Sequence, residues 1–514
     1  MSTDLRLASH PSLPINRGRT VFLRVNDKPI RAYEGETIGA ALHAAGVKIF
    51  SRSVKYHRPR GLFCMAGNCA NCLLQVNGVP NVRACVEPVR DGMVVQTQTG
   101  WPSPRFDLFS LLDVVGFLFP VGFPYRYFIR PRWLYHQWEK LLRRMSGNGI
   151  LPVTPVSNGW QTNGKRKDAE TDIAVIGGGP AGMAAAKAAA VAGARVTLID
   201  ESLCLGGSLR ADPSRYAEPR NYRGLRGYEI AQQLTAAVTS RASIEVWTAA
   251  TAFGIYDNGV IGVRQQETLL KLTAKRVVIA TGAYENPLIA EDWDRPGVFL
   301  ATGAQRMLHL WLMRPGRVAT VVSTNDLGVM VAAQLLAAGI EVGAVADVRP
   351  RFNVAREEVA FLKERGVPLL TLHTLKAVHG RRAVTGVSLV RVKDAEQEMT
   401  ETILRLACDT VVIAGGFSPA NELLFQATAQ GSYVLEAVET LSRVPYREDD
   451  MQVQDGVYVA GHAAEVGDPF DLRRVLWEGE IAGLSAALSL GMGRRREEAR
   501  RVRIQRALAA RRGN

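Results

Sequence analysis

Residues 172–201 read DIAVIGGGPAGMAAAKAAAVAGARVTLIDE, and this stretch decides the fold. An apolar run leads into a glycine-rich turn, an alanine-rich segment follows, and a second apolar run ends at Asp200. Short apolar runs on either side of a helical pattern predict a strand, a helix and a parallel strand, which together make a βαβ unit. The chain from Asp172 onward is therefore predicted to be an α/β domain with a mostly parallel sheet.

The turn of this unit has the spacing G-x-G-x-x-G, formed by Gly177, Gly179 and Gly182. Glycines in this pattern allow a tight turn and let a pyrophosphate approach the N-terminus of the following helix. An acid after the second strand, here Asp200 followed by Glu201, can bind a ribose hydroxyl. The unit is therefore predicted to bind a dinucleotide.

Two further stretches favour FAD over NAD at this site. CLGGSL follows at 204–209, and RVVIATGAYENP at 276–287 fits the strand and turn that pack on the flavin in reductases with two dinucleotide-binding domains. Late in the chain, where such flavoproteins often have Gly-Asp, the sequence GVYVAGHAAEVGD has Gly-His instead. The predicted FAD-binding residues are Gly177, Gly179, Pro180, Ala181, Gly182, Asp200, Glu201, Gly206, Gly207, Ser208, Ala280, Thr281, Gly282, Gly461 and His462.

A related βαβ pattern recurs at 317–347, RVATVVSTNDLGVMVAAQLLAAGIEVGAVAD. Its turn, STNDLG at 323–328, lacks the three glycines, although Asp347 could still bind a ribose. NAD binding and a purely structural role are both open for this second unit. The two units predict a second dinucleotide-type domain inserted into the first.

Four of the six cysteines lie at 64–85, in CMAGNCANCLLQVNGVPNVRAC. The spacing C-x4-C-x2-C with a fourth cysteine after a hairpin is the plant-type ferredoxin pattern, so Cys64, Cys69, Cys72 and Cys85 are predicted to bind one [2Fe–2S] cluster. The alternatives are a zinc site, which usually has two C-x2-C pairs, and unligated cysteines. The strands TVFLRV and KPIRAY and the short helix ETIGAALHAAG before the loop fit ferredoxin-like surroundings.

The apolar segments and the net charge limit which other classes of protein the chain could belong to. No apolar signal segment precedes residue 20 and the 12-residue apolar run at 108–119 is too short for a bilayer, so the chain is expected to be cytoplasmic, without a membrane span. The net charge is +14, and residues 494–512 hold nine Arg and two Glu. This tail has no nucleic-acid motif beside it, so a solvated or subunit-docking helix is favoured over nucleic-acid binding.

The predicted fold is an α/β flavoprotein with two dinucleotide-binding domains and an N-terminal β-rich [2Fe–2S] ferredoxin-like domain. The predicted boundaries are 15–100 for the ferredoxin-like domain, 101–171 for an aromatic-rich connecting segment and linker, 172–300 and 400–491 for the FAD-binding domain, 301–399 for the NAD-binding-like domain, and 492–514 for the basic tail.

Over roughly residues 15–490 the chain resembles the α-subunit of heterotetrameric sarcosine oxidase and its relatives, which include subunits of hydrogen cyanide synthase, opine oxidase and hydroxyproline dehydrogenase. The resemblance is carried by SVKYHRPRGLFC, WPSPRFDLFSLLDVVGFLFPVGFPYRYF, GGGPAGMAAA, ATGAYENP and RPGVFLATGAQ. Sarcosine oxidase α continues into a folate-binding domain, whereas this sequence ends at Asn514. The chain looks like a fusion of the small iron–sulfur subunit with the larger flavin subunit of the related assemblies.

The resemblance implies an α-like subunit of an amine or amino-acid dehydrogenase or oxidase. Its partner would be a β-subunit resembling D-amino-acid oxidase, with further small subunits, an FMN at a subunit boundary and a separate electron acceptor. The apolar block 106–128 is one place where a partner could dock, and packing on its own core is the alternative. No catalytic residue is identified, and His57, just before the cluster motif, is either a residue that tunes the cluster or an ordinary histidine.

Two other functions stay open at this point. One is a self-sufficient NAD(P)H-dependent reductase, against which the degenerate second turn argues. The other is a scaffold with a vestigial flavin fold, against which the glycine fingerprint and the four spaced cysteines argue.

Overall fold

The computed structural model divides the chain into two compact units. The first unit holds Met1–Val153 and Glu285–Gly416, and the second holds Thr154–Tyr284 and Phe417–Asn514. The residues that the structure describes are 4–54, 56–115, 130–145, 149, 166–266, 268–353, 356–393, 398–427, 433–435 and 443–512.

The strands share one numbering along the chain. They are β1 Thr20–Val25, β2 Lys28–Tyr33, β3 Ser51–Arg52, β4 Pro59–Arg60, β5 Leu73–Val76, β6 Val79–Arg83, β7 Val94–Gln96, β8 Arg166–Ile176, β9 Val196–Ile199, β10 Ile244–Trp247, β11 Ala250–Tyr256, β12 Val260–Gln265, β13 Thr268–Ile279, β14 Ala283–Glu285, β15 Val298–Leu300, β16 Val318–Ser323, β17 Glu341–Asp347, β18 Leu369–Thr371, β19 His373–His379, β20 Gly386–Val392, β21 Glu398–Ala407, β22 Thr410–Ala414, β23 Phe417–Pro419, β24 Tyr433–Leu435, β25 Arg443–Pro445, β26 Gln452–Gln454 and β27 Val457–Val459.

The α-helices are numbered in the same way. They are α1 Ile38–Ala44, α2 Leu111–Val114, α3 Arg132–Met145, α4 Pro180–Val191, α5 Gly227–Thr239, α6 Ala301–His309, α7 Asp326–Ala337, α8 Glu357–Glu364, α9 Glu422–Ala427, α10 Leu472–Leu488 and α11 Arg495–Arg512. Among the described residues, none of these helices is both long enough and apolar enough to cross a membrane.

The N-terminal sheet of the first unit has the strand order β2-β1-β7-β5-β6. β1 pairs antiparallel with β2 and parallel with β7. Exposed and buried residues alternate along β1, as expected for a strand with one face on a core. Helix α1 is capped by Thr37, whose Oγ1 accepts a hydrogen bond from the Ala40 N–H at 3.2 Å, and all seven of its residues are buried.

The other sheet of the first unit has the order β15-β22-β16-β17-β18, with every pair parallel. Helix α7 connects β16 to β17, so residues 317–347 form the second βαβ unit. The sequence boundaries placed residues 410–414 in the FAD-binding domain, but β22 lies between β15 and β16 in this sheet. All five residues of β22 are buried, which suits a central strand covered on both faces.

The large sheet of the second unit has the order β10-β9-β8-β13-β12-β11, and β27 also pairs with β13. β8 pairs parallel with β9 and with β13, and α4 connects β8 to β9. Helix α10 packs closely on α4, because a Cβ atom at Gly479 would lie 2.1 Å from the Ala181 carbonyl oxygen. This sheet brings the ends of β8, β13 and β27 to one edge, where the glycine-rich turn begins.

The basic tail is helix α11, and it packs within its own unit. Ile504 and Leu508 are buried in the core of the second unit, and Arg511 contacts Asp471 at 3.2 Å. The solvated or docking helix that the charge pattern predicted is therefore partly buried on one face. Of the apolar block 106–128, the structure describes residues 106–115, which include α2, and Phe117 and Phe119 lie outside the described residues.

Candidate functional site

The first candidate site is the cysteine loop between β4 and β5, which the fourth cysteine joins just after β6. Cys64, Cys72 and Cys85 are buried, and Cys69 is half-buried. The Cys64 thiol is within hydrogen-bonding distance of the thiols of Cys69 and Cys85, and the Cys85 thiol also contacts that of Cys72. The four sulfurs predicted from the spacing thus lie in one connected group.

The surroundings favour the thiolate at two of the four sulfurs. Hydrogen bonds from the Cys69 and Cys85 thiols lower the pKa of Cys64, and a hydrogen bond from Cys85 lowers the pKa of Cys72. The same contacts, with burial, raise the pKa of the donor thiols Cys69 and Cys85. The Ala66 N–H also donates to the Cys64 Sγ at 3.5 Å. Since the thiolate is the form that binds metal, the donor set suits a cluster.

The four grouped thiols suit a [2Fe–2S] cluster, because its four thiolates are shared between two irons. Cys85 is brought to the loop by α1, whose Gly39 N–H donates to the Ala84 carbonyl at 2.7 Å.

His57 lies at the tip of the β3–β4 hairpin that precedes the loop. Its Nδ1 is 2.7 Å from Asp107 Oδ2, and both side chains are buried. Among the residues that the structure describes, its Nε2 has no hydrogen-bond partner. The Arg52 guanidinium is 3.4 Å from the same carboxylate oxygen. These contacts place His57 in a buried hydrogen-bonded group with Asp107 and do not by themselves assign it to the cluster.

The second candidate site is the turn between β8 and α4 in the second unit. A Cβ atom at Gly177 would lie 2.2 Å from the Ala280 carbonyl oxygen, and one at Gly182 would lie 1.8 Å from the Gly177 carbonyl oxygen. At Gly179 the nearest atom would be the Gly207 Cα, 3.9 Å away. The outer two glycines are therefore required by the turn itself, whereas Gly179 faces space that a pyrophosphate could fill.

Asp200 follows β9 and holds the same turn. Its Oδ2 accepts a hydrogen bond from the Gly178 N–H at 2.6 Å, and its Oδ1 accepts one from the Ser202 N–H at 2.7 Å. Each carboxylate oxygen keeps a second lone pair that could accept a ribose hydroxyl. Glu201 is exposed beside it.

The CLGGSL stretch closes onto this turn. The Gly206 N–H donates to the Gly178 carbonyl at 2.8 Å, and Gly206 and Gly207 have φ values of 123° and 55°. A Cβ atom at Gly207 would lie 2.9 Å from the Gly179 Cα, so the two backbones approach as only glycine permits. Ser208 follows in the short 3-10 helix Gly207–Ala211.

The end of β13 lies beside the turn. The Ala280 N–H donates to the Ile176 carbonyl at 2.8 Å, and the Thr281 hydroxyl donates to the Ala420 carbonyl. Gly282 has φ 83°, and no atom of the described, non-adjacent residues would lie within 4 Å of a Cβ atom there. Pro180, Ala181 and Gly182 form the first turn of α4 on the other side.

Gly461 and His462 begin the short 3-10 helix after β27. The Gly461 N–H donates to Glu478 Oε2 at 3.1 Å, and the opposite oxygen of Glu478 accepts from Arg474 Nη1 at 3.3 Å. Burial, and then the charge of Arg474, lower the pKa of His462 to about 4. Its Nε2 is buried and has no partner within the described part of the chain. A neutral imidazole nitrogen is thus available for a ligand hydroxyl.

Glu478 and Arg474 were not predicted from the sequence. Both side chains lie on α10 and are almost fully buried. In the sequence, an Arg and a Glu four positions apart on a helix are typical of an exposed ion pair. Only the buried environment singles them out.

The turn of the second βαβ unit is closed by its own side chains. The Asn325 carbonyl oxygen Oδ1 accepts the Leu327 N–H at 3.0 Å and so caps α7. Asp326 places a carboxylate in the first turn of that helix. In a dinucleotide site the same N–H groups would receive the pyrophosphate, which an adjacent carboxylate repels.

The acid after the second strand of this unit is also engaged. Arg349 donates to Asp347 from Nε at 3.0 Å and from Nη2 at 2.8 Å, and the Asp347 side chain is fully buried. The Arg349 Nη1 reaches Asp326 at 2.9 Å. These contacts favour the structural alternative over NAD binding for this domain.

Family models match both sites. A model described as "2Fe-2S iron-sulfur cluster binding domain" matches residues 18–100, and one described as "Pyridine nucleotide-disulphide oxidoreductase" matches residues 171–491. The chain is an iron–sulfur flavoprotein of the oxidoreductase class. It belongs to the pyridine nucleotide-disulphide oxidoreductase family.

Curated relatives extend the likeness along the chain. The α-subunit of sarcosine oxidase from Rhizobium meliloti is 32% identical over 80% of this chain and 41% of its own length. The α-subunit of sarcosine oxidase from Corynebacterium sp. is 27% identical over 96% of this chain and 46% of its own length. An opine oxidase subunit from Agrobacterium tumefaciens is 28% identical over 62% of this chain and 65% of its own length. The chain thus spans less than half of the sarcosine oxidase subunits it matches.

Among solved structures, L-proline dehydrogenase from P. horikoshii is similar with a TM-score of 0.65 and 20% identity, over 97% of this chain and 78% of that chain. This likeness concerns the fold. With the family models it confirms the predicted fold class. The family models and the curated relatives confirm the resemblance to sarcosine oxidase α and its relatives and the predicted cofactors FAD and [2Fe–2S]. Which residues hold these cofactors is our proposal: the four cysteines for the cluster and the turn residues described above for FAD.

Proposed function

We propose that this chain is the FAD- and [2Fe–2S]-carrying α-like subunit of a multi-subunit amine or amino-acid dehydrogenase or oxidase. Electrons from amine oxidation on a D-amino-acid-oxidase-like partner subunit would pass through this chain to an acceptor. The observation that carries the proposal is the combination of a grouped four-cysteine loop and a flavin turn in one chain that is 32% identical to a sarcosine oxidase α-subunit.

The two cofactors explain why one chain would carry both. Bound FAD supplies two-electron chemistry, and a [2Fe–2S] cluster supplies one-electron chemistry. The role of this chain's residues is to hold the two groups: Gly177, Gly179 and Asp200 for FAD, and the cysteine loop for the cluster. A chain built in this way converts between electron pairs and single electrons.

The partner is proposed because the amine itself needs a separate kind of pocket. An amino-acid substrate brings a carboxylate, which a buried site must pair with a cation such as Arg. The sequence motifs identify no such pocket. The relatives with similar sequence are named as subunits, which supports a division of labour between chains.

The experiment is anaerobic mixing of the flavin-replete chain with a panel of secondary amines and amino acids, alone and after co-expression with its partner. We expect no flavin bleaching by the isolated chain and rapid bleaching in the complex. A G179V chain in the same complex is the matched control, because it should lack FAD. Flavin reduction by the isolated chain at turnover rates would contradict the division of labour.

The alternative function is a self-sufficient NAD(P)H-dependent reductase. The capping of α7 by Asn325 and the engagement of Asp347 by Arg349 argue against it. Mixing the isolated chain with NADH or NADPH separates the two proposals. Bleaching of the flavin by either reductant at turnover rates would favour the reductase.

A further inference from the structure

The cysteine loop rests on the second dinucleotide-type domain of its own unit. The Leu300 N–H, at the end of β15, donates to the Phe63 carbonyl at 3.1 Å. A Cβ atom at Gly303 in α6 would lie 2.4 Å from the same carbonyl oxygen and 3.2 Å from the Cys64 backbone. Helix α6 can therefore approach the first cysteine only because residue 303 is glycine.

The side chains of the loop join the core of that domain. Phe63 and Cys64 belong to the same buried cluster as Val298, Leu300 and Ile413, which lie on β15 and β22. The Phe63 ring also lies 5.6 Å from the Trp293 ring, centroid to centroid. The start of the cysteine loop is thus a part of the second domain's core as well as of the ferredoxin-like domain.

A cation from α6 reaches the cluster loop directly. The Arg306 Nη1 donates to the Cys64 carbonyl at 3.4 Å, a contact between residues 242 positions apart. Arg306 also interacts electrostatically with Glu285, whose carboxylate accepts the Ala301 N–H at 3.0 Å and the Thr302 N–H at 2.8 Å. The guanidinium is thereby placed between the carboxyl group that caps α6 and the backbone of a cluster cysteine.

We propose that in this chain the second dinucleotide-type domain packs against the cysteine loop and holds it in position, and that Arg306 raises the reduction potential of the [2Fe–2S] cluster. Reduction adds one negative charge to the cluster, and a fixed cation near the loop stabilises the reduced form more than the oxidised form. Cluster potentials depend on the net charge and hydrogen bonding around the sulfurs. Arg306 contacts the backbone of a cluster cysteine and no reacting atom, and its proposed effect is that of its charge.

Glu285 opposes this effect when it is ionised. Burial raises the pKa of Glu285 to about 7, despite the hydrogen bonds from Thr302 and Ala301 that lower it. At pH 8 the carboxylate is largely charged and partly neutralises Arg306. Replacing Glu285 with Gln should therefore move the potential in the direction opposite to replacing Arg306.

The test is an anaerobic potentiometric titration of the full chain at pH 8, followed by the electron paramagnetic resonance signal of the reduced cluster. Iron and FAD contents are measured on each sample. We expect R306Q to make reduction about 3–10-fold less favourable, a midpoint about 30–60 mV lower at 59 mV per factor of ten. R306K should stay near wild type, and E285Q should raise the midpoint.

Arg351 provides the charge-matched control. It is exposed on the segment after β17, so R351Q removes an equal charge from the same unit and should leave the midpoint unchanged. A wild-type midpoint in iron-replete R306Q, or an equal drop in R306K, would overturn the charge role. If R306Q loses its iron, E285Q decides: a midpoint that falls or does not move at pH 8 refutes the proposal. These outcomes concern the cluster alone and do not depend on which substrate the complex oxidises.

Discussion

Replacing Glu285 with Gln should change how the stability of the first unit depends on pH. The residue is half-buried as a whole, but its carboxyl group is enclosed at the N-terminus of α6. It accepts hydrogen bonds from the Ala301 N–H, the Thr302 N–H and the Thr302 hydroxyl. Gln keeps the shape and an acceptor oxygen and cannot ionise.

The magnitude follows from the two pKa values. The pKa of Glu285 is about 7 in the folded chain, and its ordinary value, which applies to the unfolded chain, is 4.5. As the pH rises, the carboxyl group therefore loses its proton at a lower pH in the unfolded chain than in the folded chain. The stability contributed by the protonated group is complete below pH 4.5 and is lost as the pH rises to about 7. The loss amounts to about 2–3 kcal/mol when partial exposure is allowed for.

Thermal unfolding of wild type and E285Q between pH 5 and pH 8 measures this loss. Wild type should lose stability across the interval and E285Q should not. The difference in Tm between them should therefore change by about 3–5 °C, because a unit of this size has a large unfolding entropy. E364Q, an exposed carboxyl in the same unit, should follow wild type. Parallel pH profiles for wild type and E285Q would refute the inference that this carboxyl is protonated in the folded chain.

Three further predictions concern the cofactor sites. G179V should abolish FAD binding, because the new side chain fills the space left for the pyrophosphate, and it should leave the apo fold intact, because it meets no close protein atom there. FAD retained at full content would contradict this prediction, and G343A is the folded control. C72S should remove or distort the cluster and leave FAD bound, which iron analysis and the flavin spectrum check together; wild type prepared without air and free of iron would contradict the cysteine assignment. H462A should weaken FAD retention and H462Q should restore part of it, because Nε2 has no partner among the described residues and the Gln amide reaches a similar position; equal FAD dissociation constants for all three chains would exclude His462 from the site.

The sequence predicted what is local. The glycine spacing at 177–182 and the cysteine spacing at 64–85 each specify a turn or loop whose chemistry follows from neighbouring residues. Both cofactors were identified in this way, and the family models confirm them.

Contacts between distant segments could not be predicted from the sequence. The apolar run at 410–414 suits a buried strand in either sheet, and only pairing with β15 and β16 places it in the first unit. The contact between Arg306 and Cys64 joins residues 242 positions apart, and the local sequence pattern around either residue does not predict it. Likewise, nothing in the sequence indicated that Asn325 caps α7 or that Arg349 pairs with Asp347.

The interleaved first unit also sets the order in which the chain can mature. Cys64 leaves the ribosome long before β22 and the rest of Glu285–Gly416 are made, and the core that receives Cys64 needs Ile413. At roughly 5–20 residues per second, synthesis from the loop to the end of this segment takes on the order of 20–70 s. During that interval the core that packs against the cysteine loop is incomplete. Iron–sulfur loading is therefore expected to follow completion of the second domain during biosynthesis.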